Sequence, residues 1–206
     1  MFICFLHSLI LMFNLNNLLL LSSTTNHKII GILYGYIGYI GGFFGFYMSI
    51  KIRMQVNNQS LAILRLLKEV ILYNNWITIH GILMLFIFIM PVAIGYYGNY
   101  ILPMLIGTSE LSMPRINGIA YYLLIISILI FLIANLLFSK PISSGWTFYP
   151  PLSSNDADNI EISIDYSLLS IHVLGLSSSI SSINFMTTNK SNRPQEVRKR
   201  IKYHFY

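Results

Sequence analysis

Charge is scarce in this chain. Of 206 residues only 10% are Asp, Glu, Lys or Arg, against about 25% in an ordinary soluble domain, too few for the charged shell of a water-soluble globule. Cysteine is scarcer still. The single Cys4 excludes an internal disulfide framework. No repeat period is visible, so a solenoid is excluded. The opening stretch, "MFICFLHSLILMFNLNNLLLLSS", has no basic region ahead of its apolar core and no small-residue cleavage site. It is a poor secretory signal and, lacking arginine, a poor transit peptide. Residues 1–23 read as an apolar extension, either an interfacial helix or a fifth span.

What is present is long apolar sequence. Hydrophobic residues make up 55% of the chain. Four windows carry no charged side chain: 29–50 (22 residues), 70–109 (40), 116–139 (24) and 166–189 (24). A helix needs about 20 apolar residues to cross a bilayer. A backbone in lipid must satisfy its own hydrogen bonds, which makes helix the default. The reading is an all-α, multi-pass transmembrane bundle over residues 24–188, with helices near 27–52, 70–104, 114–138 and 161–188. The second window is long for one crossing, and Pro91, Gly95 and Gly98 predict a kink.

The net charge of +6 is not a nucleic-acid signature. Six of the 13 basic residues lie in the tail "KSNRPQEVRKRIK", within 189–206, while 139–161 is net acidic. Four crossings put both ends on one side. With the ends inside, that side holds eight basic residues and the other five, in agreement with the positive-inside rule. A basic tail beside an anionic leaflet accounts for the excess.

One histidine, His80, lies within the longest apolar window. Ionisable side chains at bilayer depth default to functional hypotheses, and a neutral imidazole suits haem iron or copper. It equally suits a hydrogen bond to a neighbouring helix, and spacing leaves both open. Gly81 beside it would let a flat macrocycle approach. Tyr73, Ile77, Met84 and Phe88 share its face at helical spacing, more often a packing stripe than a cofactor wall. Arg53 ends the first helix, where a guanidinium snorkels to water or reaches a cofactor carbonyl. Glu110 lies between two helices, beside Arg115. With Asn99, Asn117, Ser177, Ser178 and Asn184 it could collect and conduct protons along ordered water, or be structural.

Six separated stretches carry a resemblance: "TNHKIIGILY" (25–34), "SIKIRMQ" (49–55), "HGILMLFIFIMPVAIGYYGNYILPMLIG" (80–107), "SELSMPRIN" (109–117), "GWTFYPPLS" (145–153) and "INFMTT" (183–188). In this order they resemble the amino-terminal part of subunit 1 of the cytochrome c oxidases, in the haem–copper oxidase family. The resemblance covers about residues 24–188. It implies the first four helices of a twelve-helix subunit that reduces O2 to water and pumps protons. It implies that His80 is an axial ligand of the low-spin haem, that Arg53 hydrogen-bonds that haem's formyl group (hence haem a), that Tyr73 lies near its propionates, and that Trp146 lies beside those of a second haem. It implies that Glu110 is the mouth of a proton-uptake channel lined by Tyr34, Asn99, Asn117, Ser177, Ser178 and Asn184.

Against the family's pattern, Glu110 replaces an aspartate, Ala120 a channel serine, Gln55 a cation-binding carboxylate, and Ile29 an acidic residue. In the family that these stretches resemble, the other haem ligand and the copper ligands lie on later helices. His7, His27, His172 and His204 form no metal cluster, so no residue here catalyses O2 chemistry. The resemblance implies one piece of a split subunit. Its partners would be a second polypeptide carrying the second haem and the copper, oxidase subunits 2 and 3, cytochrome c as electron donor, and the lipid bilayer. Nucleic acid is not expected. The implied location is the mitochondrial inner membrane, with both termini on the matrix side. The rivals are a quinol oxidase of the same superfamily, a non-catalytic structural or assembly protein derived from it, and a truncated reading.

Overall fold

In a computed structural model of the protein, residues 24–57, 66–136, 142–150, 153 and 162–192 are described, with backbone only at 66–71 and 136. Among them every regular element is helical. Helix α1 runs His27–Asn57. Helix α2, Leu66–Ile82, continues through two π-helical stretches, Leu83–Ile89 and Pro91–Gly98, into α3, Asn99–Ile106. Helices α4, Pro114–Leu136, and α5, Ile162–Ser191, follow. Four of these rods are long and apolar enough to cross a membrane. The predicted helices are all present: the starts at 27 and 114 hold, and the other ends differ by one to five residues. The extension 1–23 and residues 193–206 of the tail lie outside the described residues.

The second rod deviates from α-helix where the sequence predicts a kink, and the deviation is a widened turn. Proline has no N–H, and its ring collides with the carbonyl four residues back. Ahead of Pro91, the Met90 N–H donates to the Leu85 carbonyl, five residues back, the π pattern. At the far end Gly107 takes the left-handed conformation, φ 78°. Its N–H and that of Thr108 return to the Pro103 carbonyl, and glycine adopts this conformation freely.

The rods form two antiparallel hairpins. In the first, glycines on α1 bring it against the second rod. A Cβ at Gly38 would meet Val92 at 2.5 Å, at Gly41 Ile87 at 2.6 Å, and at Gly45 Met84 at 2.7 Å. Small residues give such close approach in a bilayer, where apolar burial alone does not drive helices together. In the second, α4 and α5 are clasped by a reciprocal pair. Ser127 Oγ donates to the Ser170 carbonyl (2.9 Å), and Ser170 Oγ to the Ser127 carbonyl (2.8 Å). The hairpins meet through Tyr34 and Tyr121, edge to face at 5.3 Å, and around a core of Ile30, Ile82, Ile87, Leu124, Phe131 and Leu174.

This topology gives the bundle two ends. One gathers His27, Gly107, the loop to Pro114, and the C-terminal turns of α5. The other gathers Arg53, the start of α2, and the segment 142–150.

Candidate functional site

The predicted site residues divide between these two ends. His80 sits half-buried on α2, facing α1. Its Nδ1 is 2.8 Å from the Gly45 carbonyl oxygen. A carbonyl can only accept, so Nδ1 carries the proton and Nε2 of the neutral ring holds the free lone pair. A fixed Nδ1–H bond to a carbonyl is how a ligating histidine is commonly oriented. The absent side chain at Gly45 is what lets that carbonyl come so close: Met84 Sδ fills the space a Cβ would need. Met84 and Phe88, on the predicted stripe, pack onto Gly45 and Gly42. That part of the stripe is helix packing.

Gly81 does not offer an open face. A Cβ there would lie 3.1–3.2 Å from Trp146 atoms, so the indole occupies the place predicted for a macrocycle. Trp146 reaches it because segment 142–150 is tied to α2. Asn75 Nδ2 donates to the Ile142 carbonyl (2.9 Å), and Thr78 Oγ1 accepts the Gly145 N–H (2.9 Å). Thr78 is fully buried, and at 100° per residue it lies nearly opposite His80 on α2. One side of the helix therefore holds the loop while the other presents the imidazole. Tyr73 is half-buried two turns before His80, and Arg53 is exposed on the last turns of α1, about 12 Å along the axis from Gly45. Lys51, between them in chain position, lies over the rings of Tyr47 (5.0 Å) and Trp76 (5.3 Å), joining α1 to α2 at this end.

At the opposite end three asparagines are fully buried: Asn99, Asn117 and Asn184. Asn184 Oδ1 accepts the Met113 N–H (3.1 Å), which identifies the oxygen and leaves Nδ2 without a protein partner. Asn99 Nδ2 donates to the Gly95 carbonyl (2.7 Å), leaving Oδ1 free. Asn117 has neither atom paired. The three amides thus offer a donor, an acceptor, and both. Buried amides left this way are satisfied by water.

Contacts gather them in one layer. Gly31 packs on Asn99 Cβ, and a Cβ at Gly98 would meet the Phe185 ring, next to Asn184, at 2.8 Å. Ser177 Oγ donates to the Ala120 carbonyl (2.6 Å), one turn from Asn117. Tyr34 covers Gly95. Its hydroxyl lies against Ser177 and Ser181 without a bond of good geometry to either. A cavity of about 20 Å³ opens beside it, lined by Tyr34, Gly95, Ser177 and Ser181 among others, room for one water. Ser178 also lines it, but its hydroxyl donates to the Gly175 carbonyl (2.9 Å).

Glu110 is exposed in the loop that closes this end. The loop is latched to α5 two residues later: the Ser112 N–H donates to Thr188 Oγ1 (3.0 Å), and its hydroxyl pairs with Thr187 (2.7 Å). The buried His27 is within electrostatic reach of the Glu110 carboxylate. Ser112, Thr188, Ser181 and the Gly45 carbonyl are neighbours of the candidate residues that the sequence did not point to. Only the glycines carried a signal, at 31, 35, 38, 42 and 45, alternately four and three apart.

Among the described residues no group of three or more His, Cys, Asp or Glu could hold a metal ion. His80 supplies one imidazole nitrogen with its tautomer set by the Gly45 carbonyl, the kind of donor that would suit haem iron.

The family model described as "Cytochrome C and Quinol oxidase polypeptide I" matches residues 29–204, reaching into the basic tail beyond the 24–188 stretch of the resemblance. Over 82% of its length the chain is 40% identical to cytochrome c oxidase subunit 1 of Plasmodium chabaudi, 39% to that of Mytilus edulis and 36% to that of Candida albicans. It covers 35%, 30% and 31% of those proteins, about a third of their length.

Proposed function

The chain belongs to the family of cytochrome c and quinol oxidase polypeptide I, and from that premise we propose that it is the amino-terminal portion of the catalytic subunit of a cytochrome c oxidase. In this reading His80 would ligate the iron of the low-spin haem, Arg53 and Tyr73 would border that haem, and Trp146 would border a second. The group's own contribution when bound is reversible one-electron transfer. The chain's contribution is to hold the ring: the Gly45 carbonyl fixes Nδ1–H, directs Nε2 outward, and raises the basicity of the ligand. Haem a is the fit for a guanidinium donor at Arg53.

At the other end Glu110 takes up protons from the aqueous side. Asn99, Asn117 and Asn184 orient water inward, towards Tyr34, Ser177, Ser178 and Ser181. Bound water with fixed donors and acceptors passes protons without moving charge through lipid unaided. The two activities then sit at opposite ends of one bundle, as a machine that couples electron transfer to proton uptake across a membrane requires.

The remaining ligands belong to the part of the family's length that this chain does not cover. In the split reading they reside on a second polypeptide, assembled with subunits 2 and 3 in the mitochondrial inner membrane, with cytochrome c as donor. The named relatives are cytochrome c oxidases, which favours that donor over quinol.

The observation that carries the proposal is the 2.8 Å bond from His80 Nδ1 to the Gly45 carbonyl, because it leaves the ligating nitrogen free inside an apolar span. The test is the reduced-minus-oxidised spectrum of the native complex containing this chain, with every co-purifying polypeptide identified. A low-spin haem signal present in the wild type and lost in His80→Ala, with a partner carrying the missing histidines, supports it. A complex that keeps that signal in His80→Ala overturns it.

A further inference from the structure

Helices α4 and α5 keep one register along their seam. Ser170 pairs with the Ser127 carbonyl, Ser177 with the Ala120 carbonyl, and Asn184 with the Met113 N–H. Each step is seven residues on both chains, the repeat of a left-handed helix pair. At the first two positions a hydroxyl of α5 donates to a carbonyl of α4. At the third the direction reverses. The register has run one residue past Pro114, where α4 begins, so Asn184 meets a backbone N–H in place of a carbonyl. An N–H can only donate. Asn184 therefore presents Oδ1 to the loop, and Nδ2 stays buried without a protein partner.

Two further donors of the loop act in the same sense. The Ser112 N–H donates to Thr188 Oγ1 (3.0 Å). Ser112 Oγ stands 2.7 Å from Thr187 Oγ1 and 3.4 Å from Asn184 Oδ1. The threonine protons are spent on their own helix: Thr187 and Thr188 both donate to the Asn184 carbonyl, at 2.9 and 2.7 Å. Both threonine oxygens thus accept, and every donor of the clasp points from loop to helix. Leu111, buried beside them in the chain, anchors the loop. A flipped Asn184 amide would set its N–H2 group against the Met113 N–H, donor against donor.

We propose that this clasp is the orienting element of the proton-uptake path, with Ser112 and Thr188 as positioning residues. It holds Asn184 with its N–H2 group turned away from the loop and into the bundle, as a fixed donor to water. A water that accepts from Asn184 is left to donate onward, to an acceptor of the kind Asn99 Oδ1 offers. The proposal rests on reading Glu110 as the mouth of that path, and it adds that the loop bearing Glu110 also sets the polarity of the water it feeds.

The test is the double variant Ser112→Ala, Thr188→Val in the native complex. Proton uptake is followed by stopped flow, with the low-spin haem band and thermal unfolding recorded alongside. Uptake is expected to fall severalfold while the haem band is unchanged. Ser112→Thr in place of Ser112→Ala, which returns the hydroxyl, recovers part of the rate. In an Asn184→Leu background the double variant lowers uptake no further, because the clasp acts through that amide. A loss of equal size with and without Asn184 overturns the proposal. So does an unchanged rate in the double variant where Glu110→Gln lowers it. If Glu110→Gln itself leaves uptake unchanged, the mouth reading falls and the proposal with it. Should the double variant fail to assemble, Ser112→Ala alone, which leaves both backbone donors in place, carries the same comparison against Asn184→Leu.

Discussion

The imidazole of His80 is held by the carbonyl of Gly45, 35 residues earlier in the chain and 2.8 Å from Nδ1. A side chain on one helix is aimed by the bare backbone of another. The precision of that aim depends on how closely α1 approaches the second rod.

Substituting Gly45 tests the dependence directly. A Cβ would meet Met84 Sδ at 2.7 Å, the yielding end of a flexible side chain, so Gly45→Ala is tolerated. Gly45→Val adds bulk that Met84 cannot clear, and it moves the carbonyl away from Nδ1. The expected outcome is a shifted or weakened low-spin haem band in Gly45→Val and a near-normal one in Gly45→Ala, read by difference spectroscopy on the native complex.

Gly38 packs against a stiffer neighbour. Its added Cβ would lie 2.5 Å from Val92 Cγ2 and 3.4 Å from the Phe88 carbonyl, and valine has little χ1 freedom in a helix. Gly38→Ala is expected to destabilise the first hairpin by about 1–3 kcal/mol, the usual cost of overpacking. Thermal unfolding of the purified complex, compared with Gly118→Ala, where a Cβ meets nothing within 4 Å, checks the magnitude.

Thr78 is the anchor of segment 142–150. Thr78→Val keeps the shape and leaves the part-buried Gly145 N–H without its acceptor, a loss of about 1 kcal/mol, the net worth of an ordinary hydrogen bond. Trp146 then has less to hold it over Gly81. Faster proteolysis within 142–150, with α2 intact, is the expected result. An unchanged cleavage rate would show that the Asn75 bond to Ile142 suffices.

Asn117 has two buried amide atoms and no protein partner for either. If its role is to hold water, Asn117→Leu removes unpaired polar groups, so stability is unchanged or higher while proton-coupled turnover falls severalfold. Glu110→Gln should fall likewise at the mouth, and Glu110→Asp should retain turnover. Stopped-flow oxidation with proton-uptake detection separates these outcomes from a folding defect, in which stability and turnover would fall together.

Much of the architecture was legible in residue order. The charge-free windows located the four rods, and Pro91 marked the irregular one. The glycine run along α1 was there to be read as a packing face, yet it stood for little until its partners were known. The candidate residues were less evenly legible. Asn99, Asn117 and Asn184 share one buried layer, whereas Ser178 is turned to its own backbone and Gly81 is covered by an indole. Nothing near Gly81 in the chain announces Trp146, 65 residues away.

By itself, then, the sequence determined that four segments lie in lipid as helices, because a charge-free stretch of more than 20 residues has no other way to satisfy its backbone there. It also determined which imidazole and which carboxylate are available. Tertiary structure alone decided that His80 turns to Gly45, that Asn184 leaves its nitrogen free and Asn99 its oxygen, and that the loop bearing Glu110 is latched to Thr188. Each rests on a partner 4 to 76 residues away. The atom an imidazole or amide leaves free is set by the group facing it, and that group is known only once the helices have packed.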